Sequence, residues 1–134
     1  MNAKAASRPL VLLVDDDVRT SRTLARMLQQ DGYEVDFAAD GAAAISRLTR
    51  DPVPDALVTD LAMPFADGVA VMRYARSRRA DLPVFVVTGN PNLVARTGVA
   101  EPLDPAPVVL TKPLDYETFS EQLRFALGGA DRRH

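Results

Sequence analysis

Five polar residues of this chain could together carry out a phosphoryl-transfer reaction. They are Asp15, Asp16, Asp60, Thr88 and Lys112, and each lies at the end of a short apolar run. Three carboxylates brought together repel one another, and a hard divalent cation such as Mg²⁺ relieves that repulsion. A lysine and a hydroxyl beside them would bind a phosphoryl group while a carboxylate attacks it. The set therefore predicts a Mg²⁺-dependent site with a carboxylate nucleophile.

The elements that must position these residues are short buried strands. Apolar runs predict strands at Leu10–Val14, Ala56–Val58, Val84–Val87 and Val108–Leu110. The alternating residues of Tyr33–Phe37 predict a half-buried strand at the edge of the sheet. Helical patterns separate them, so five strands alternate with about five helices. This alternation predicts an α/β fold, a single doubly wound domain with a parallel sheet and helices on both faces. The five polar residues then meet at the carboxyl edge of the sheet, where ligands bind in such folds.

The helix boundaries are predicted from capping and helix-breaking residues. Asp17 is expected to cap the first helix, and the last helix is expected to begin near Asp115, with Phe119, Leu123 and Ala126 facing inward. The arginines at the end of the third helix, at positions 73, 76, 78 and 79, are interpreted as a solvated face. Four of the ten prolines lie within residues 91–107, so the helix there is predicted to be short or irregular. Residues 1–8 are interpreted as a flexible lead-in, 9–128 as the domain and 129–134 as a tail.

The composition excludes several classes of function. The chain has 134 residues, a net charge of −2, no cysteine and a single histidine, His134, at its end. Thiolate and histidine catalysis are therefore disfavoured, and no electrostatic case exists for nucleic acid or an anionic membrane. No apolar stretch is long enough to span a bilayer. We expect a soluble, cytoplasmic protein.

The motifs in their order resemble the receiver domain of two-component response regulators. The resemblance covers residues 9–128 and is carried by four fragments of the sequence. They are Val11-Leu-Leu-Val-Asp15-Asp16, Asp60-Leu-Ala-Met-Pro64-Phe-Ala-Asp-Gly68, Val86-Val-Thr88 and Thr111-Lys112-Pro113. The family implies a flavodoxin-like sheet with the strand order 2-1-3-4-5.

The resemblance also implies a role for each site residue. Asp60 would accept a phosphoryl group from the phosphohistidine of a sensor histidine kinase or a histidine phosphotransfer protein. Asp15, Asp16, Asp60 and the backbone carbonyl of Ala62 would bind Mg²⁺. Thr88 would turn toward the phosphoryl group and Lys112 would pair with it. The domain would catalyse only its own phosphorylation and slow dephosphorylation, and would then act on a downstream effector that the sequence does not identify.

Two features depart from the family, and one is expected to follow it. The Lys112–Pro113 bond is expected to be cis, as in family members. The aromatic residue that many receivers carry three positions before the lysine is replaced by Val109, so an aromatic switch is in doubt. The proline-containing segment 91–107 replaces a full helix. We therefore hypothesise that any switch works by ordering residues 89–107.

Other functions remain open. The chain could be a phosphorylation-independent interaction module that keeps the receiver fold, or part of a longer regulator or hybrid kinase. Taken singly, Thr88 could be an ordinary strand-end hydroxyl and Lys112 a solvated turn residue. A phosphatase with an aspartyl nucleophile is disfavoured because the position of its second Asp is occupied by Ala62. Nucleotide-binding glycine motifs do not occur in the sequence.

Overall fold

Five parallel strands form one sheet in the order β2-β1-β3-β4-β5 in the computed structural model of the chain, which describes residues 8–60, 68–89 and 105–129. The strands are β1 Leu10–Val14, β2 Glu34–Ala38, β3 Ala56–Asp60, β4 Val84–Thr88 and β5 Val108–Thr111. The doubly wound, flavodoxin-like order predicted from the sequence is confirmed. β1 and β3 lie side by side at the sheet centre, so the acids that follow them are neighbours.

The described ranges contain four α-helices, of which the first three connect strands. They are α1 Val18–Gln30, α2 Gly41–Leu48, α3 Gly68–Arg78 and α4 Tyr116–Arg124. A π-helical turn, Phe125–Gly129, continues α4. No helix in these ranges is long and apolar enough to cross a membrane.

Aspartates precede α1, α2 and α4, as expected for N-caps. The side chain of Asp17 accepts a hydrogen bond from the backbone N–H of Thr20 at 3.3 Å, which confirms its predicted role. Asp40 caps α2 by accepting from the N–H of Ala43 at 2.8 Å. Asp115 precedes α4 as predicted, but its carboxylate accepts from the Thr118 hydroxyl at 2.7 Å and makes no capping bond to the backbone.

Two apolar clusters cover the two faces of the sheet. Residues Leu57, Val71, Met72 and Ala75 belong to the cluster under α2 and α3. Residues of α1 and α4 bury the opposite face in the second cluster, which includes Leu28, Val58, Phe85, Phe119 and Leu123. Because alternate residues of each strand face opposite clusters, the inner strands are apolar except near their carboxyl ends.

One helix face was predicted wrongly at its end. Ala126 was expected to face the core with Phe119 and Leu123, which are both buried. In the structure Ala126 is exposed, and its neighbour Phe125 is 80% exposed. The π-helical turn explains the difference, because its wider turn shifts the side chains off the 3.6-residue register.

Several predictions fall outside the described residues. They are the metal-binding carbonyl of Ala62, the turn at Pro64, the short helix expected from Pro91 and most of the segment 89–107. The cis peptide predicted at Lys112–Pro113 is confirmed, and a second cis peptide, Asp51–Pro52, was not predicted.

Candidate phosphoacceptor site

Three carboxylates converge at the carboxyl edge of the two central strands. Asp15 and Asp16 directly follow β1, and Asp60 is the last residue of β3. Because Val14 is in register with Thr59, Asp15 and Asp60 are level with each other. One carboxylate oxygen from each of the three aspartates lies within 4.8 Å of the others. The convergence predicted from the sequence therefore exists in the fold.

Lys112 supplies the positive charge beside these acids. Its Nζ lies 3.2 Å from Oδ2 of Asp60 and 3.5 Å from Oδ2 of Asp15. The two carboxylate side chains are only 11% and 12% exposed, whereas the lysine side chain is 31% exposed. One partly solvated ammonium group is thus shared by two nearly buried carboxylates.

Burial and charge act against each other at this site. Burial raises the pKa of Asp15 above its ordinary value, and the charge of Asp60 raises it further. The backbone N–H of Asp17, which donates to Oδ1 of Asp15 at 3.0 Å, and the ammonium of Lys112 oppose that rise. Burial lowers the pKa of Lys112, but the charges of Asp60 and Asp15 outweigh it, so the net direction is upward. Lys112 is therefore cationic at neutral pH.

Thr88 ends β4, the strand next to β3. Its side chain is buried, and its carbonyl accepts a hydrogen bond from the N–H of Lys112 at 2.9 Å. Thr88 and Thr111 are the last residues in register between β4 and β5. The bond to Lys112 continues the hydrogen bonding of these strands by one residue. The backbone of Thr88 thereby fixes where the lysine leaves the sheet.

Comparison with known proteins supports the same interpretation. The family model described as "Response regulator receiver domain" matches residues 11–124. The chain belongs to this family. The response regulator MprA of Mycobacterium leprae is 43% identical over 86 residues, which are 64% of this chain and 37% of the relative. The chain thus spans little more than a third of the length of the curated relatives it matches.

Solved structures share the receiver fold. The receiver domain of the hybrid histidine kinase CckA superposes with a TM-score of 0.70 at 30% identity, covering 88% of this chain and 98% of that one. The response regulator TrrA of Thermotoga maritima, solved in complex with Mg(2+)-BeF, has a TM-score of 0.77 at 23% identity. It covers 89% of this chain and 99% of that one. Receiver domains of response regulators interact with histidine kinases.

The receiver-domain acid cluster has the donor set that Mg²⁺ prefers. Asp15, Asp16 and Asp60 offer only carboxylate oxygens, and Asp16 is exposed. Mg²⁺ binds a few carboxylates and retains several waters, so an open cluster of this kind suits it. The residues present therefore fit the ion that the family binds.

A cavity of about 620 Å³ adjoins the acids and Lys112. One of its walls is the first half of α1, where Thr20, Ser21 and Thr23 carry short hydroxyl side chains. The other wall is the β5–α4 connection, with Pro113 and Leu114. The opening leaves the carboxylates of Asp15 and Asp60 accessible from one side despite their low exposure.

The sequence analysis missed one residue of the site, Thr59. It is fully buried, and its hydroxyl donates a hydrogen bond to the backbone carbonyl of Asp60 at 3.0 Å. A sequence signal did exist, because Thr59 is the only polar residue between Ala56 and the nucleophile candidate. The predicted strand ended at Val58, and Thr59 was assigned no role.

Proposed function

We propose that this receiver domain accepts a phosphoryl group on Asp60 and thereby acts as the switch of a two-component phosphorelay. The donor would be the phosphohistidine of a sensor histidine kinase or a histidine phosphotransfer protein. The observation that carries the proposal is the position of Lys112 Nζ, 3.2 Å from Asp60, within a cluster of three convergent carboxylates. We expect the domain to work in the cytoplasm, where such kinases form phosphohistidine.

The residues present can perform each part of the transfer. A carboxylate oxygen of Asp60 would form the new P–O bond while the P–N bond to histidine breaks. The leaving imidazole would keep the electron pair of that bond and take up a proton. Lys112 would move its hydrogen bond from Asp60 to a phosphoryl oxygen, a small displacement because it already touches the acceptor. The Thr88 hydroxyl would donate to a second oxygen.

Asp15, Asp16 and Asp60, with the carbonyl of Ala62, would hold the metal ion. When bound, Mg²⁺ would offset the charge of the carboxylates and of the phosphoryl oxygens. The Mg(2+)-BeF complex of TrrA supports this choice of ion.

Val109 occupies the position at which many receivers carry an aromatic switch residue. Val109, in edge strand β5, is 36% exposed and lacks the aromatic ring that would change its burial on activation. We therefore retain the hypothesis that phosphorylation orders residues 89–107. Amide hydrogen exchange with and without beryllofluoride would test it, and unchanged protection across this segment in the loaded protein would contradict it.

The acceptor role is tested by Mg²⁺-dependent binding of beryllofluoride, a phosphoryl mimic. Wild type and Asp81→Asn, a control at an exposed aspartate outside the site, should both bind. Asp60→Asn should not bind, because it removes the carboxylate oxygen that coordinates beryllium. If folded wild-type protein fails to bind with ample Mg²⁺, Asp60 is not an acceptor, and the interaction-module alternative gains support.

A further inference from the structure

Thr59 places a hydroxyl group where the packing favours a hydrocarbon. It is in register with Val14 on one side and Val86 on the other, and both valines are buried. Leu57, two residues earlier on the same face, belongs to the apolar cluster under α2 and α3. A valine would fill the same space without burying a polar group, and a buried hydroxyl is costly unless it is hydrogen-bonded. Packing alone therefore does not account for the threonine.

The hydrogen bond of Thr59 reaches the acceptor residue itself. The hydroxyl donates to the carbonyl of Asp60 at 3.0 Å. The register of β3 with β1 ends at Thr59, one residue before Asp60, whereas the register with β4 includes Asp60. Asp15 and Asp16 lie on the side of β1, where this register ends. The bond adds a restraint at this point.

We propose that Thr59 is a positioning residue for the phosphoacceptor site. Its hydroxyl fixes the orientation of the Asp60 peptide, and so holds the Asp60 carboxylate in register with Asp15, Asp16 and Lys112. Thr59 does not touch the reacting atoms and acts only through Asp60. The inference rests on the proposed function of the site, but it can be tested separately because its main readout is metal affinity.

The experiment compares three variants by Mg²⁺ titration and urea unfolding. Thr59→Val keeps the shape and removes the donor, and it should weaken Mg²⁺ binding about fivefold, as expected for one net hydrogen bond. Thr59→Ser keeps the donor and loses a methyl group, so it should bind Mg²⁺ as wild type does but unfold at lower urea. Thr49→Val is the control, because it removes a threonine hydroxyl that donates to the carbonyl of Ser46 at the end of α2, far from the acids.

If Thr59 positions Asp60, Thr59→Ser should bind Mg²⁺ more tightly than Thr59→Val does, although it unfolds at lower urea. A purely structural role predicts that Mg²⁺ affinity follows stability, with Thr59→Ser the weaker binder. The inference is overturned if wild type and Thr59→Val bind Mg²⁺ equally tightly, or if neither protein binds it. Failure of wild type to bind beryllofluoride would instead overturn the acceptor role of Asp60, and the Mg²⁺ titration would still decide the role of Thr59.

Discussion

At the scale of single residues, Tyr116 links two helices that flank the site. Its hydroxyl donates to Oδ2 of Asp31 at 2.7 Å, and Ser120 contacts the same oxygen at 3.4 Å. Asp31 follows the end of α1, and Tyr116 is the first residue of α4, four positions after Lys112. The bond therefore connects the segment that carries the lysine to α1.

Replacing Tyr116 by Phe should lower the free energy of unfolding by about 1 kcal/mol at neutral pH, the net contribution of one hydrogen bond. Burial, followed by the bond to Asp31, raises the pKa of Tyr116 above its ordinary value. Its stabilising contribution is thus complete below about pH 10, the unfolded pKa, and is lost as pH rises toward the folded pKa. Urea unfolding of both proteins at neutral and alkaline pH should show their difference shrinking above about pH 10. A difference that persists unchanged into that range would contradict the assignment.

Gly89 and Gly32 differ in their need for glycine, and alanine substitution at each position tests that difference. A Cβ added at Gly89 would meet nothing within 4 Å, and its φ is not in the left-handed region. Gly89→Ala should therefore be neutral or stabilising by up to about 1 kcal/mol in thermal unfolding. Gly32 has equal space but a φ of +98°, so Gly32→Ala should cost about 1 kcal/mol or more. Equal destabilisation by the two substitutions would show that Gly89 needs its glycine for another reason.

At the scale of elements, a buried arginine secures the connection from α2 to β3. Arg47 is only 9% exposed, and its Nε donates to Oδ2 of Asp36 at 2.6 Å. Its other nitrogens donate to the carbonyls of Arg50 and Pro52 at 3.1 and 2.8 Å. One side chain thus satisfies carbonyls at the end of α2 and in the loop that leads to the acceptor strand.

Substitution of Arg47 by Met should destabilise the domain by about 2–3 kcal/mol, because it removes a nearly buried guanidinium group that makes three hydrogen bonds, one of them to a carboxylate. Arg50→Met is the matched control, since the Arg50 side chain is exposed, and it should change stability by less than about 0.5 kcal/mol. Urea unfolding measures both. Similar values for the two variants would show that water replaces the Arg47 bonds.

The elements also show what the sequence could and could not predict. The strands were predicted to within two residues because each inner strand begins as an uninterrupted apolar run, such as Leu10–Val14. The arginines at the end of α3 were interpreted as a solvated face, yet Arg78 donates through Nε to the carbonyl of Leu48 at 2.8 Å. Arg76 likewise donates to the carbonyl of Leu82 at 2.7 Å. Such bonds depend on how far α2, α3 and the loops lie from one another in the fold. A local sequence pattern does not indicate these distances.

The same contrast holds for the site. Asp15, Asp16, Asp60 and Lys112 were predicted to meet because parallel strands end at one edge, and they do. The hydrogen bond of Thr59 could not be predicted, because it depends on the side-chain rotamer. The sequence shows a lone polar residue in an apolar run, but it does not show which group that hydroxyl would contact.

At the scale of the whole molecule, the acid cluster should couple metal binding to stability. Bringing three carboxylates together opposes folding, and a bound cation relieves that cost. Mg²⁺ at about one hundred times its dissociation constant should therefore raise the free energy of unfolding by about 2.7 kcal/mol. Urea unfolding with Mg²⁺ and with a chelator measures the difference.

Two variants sharpen this prediction. Asp60→Asn should show a much smaller response to Mg²⁺ than wild type, and Asp81→Asn should respond as wild type does. Asp60→Asn should also be at least as stable as wild type in chelator, because it removes one of the repelling charges. An equal Mg²⁺ response in all three proteins would place the ion outside the acid cluster.

The bond between Tyr116 and Asp31 has a further consequence for spectroscopy. The chain contains no tryptophan and only three tyrosines, so tyrosine emission is not masked. A carboxylate that accepts a hydrogen bond from the phenol quenches tyrosine emission. Tyr116 should therefore emit less than a tyrosine without such a bond. If phosphorylation of Asp60 moves the residues from Lys112 to Tyr116 away from α1, the bond to Asp31 breaks and the tyrosine fluorescence should rise. The domain would then report its own switching without an attached dye.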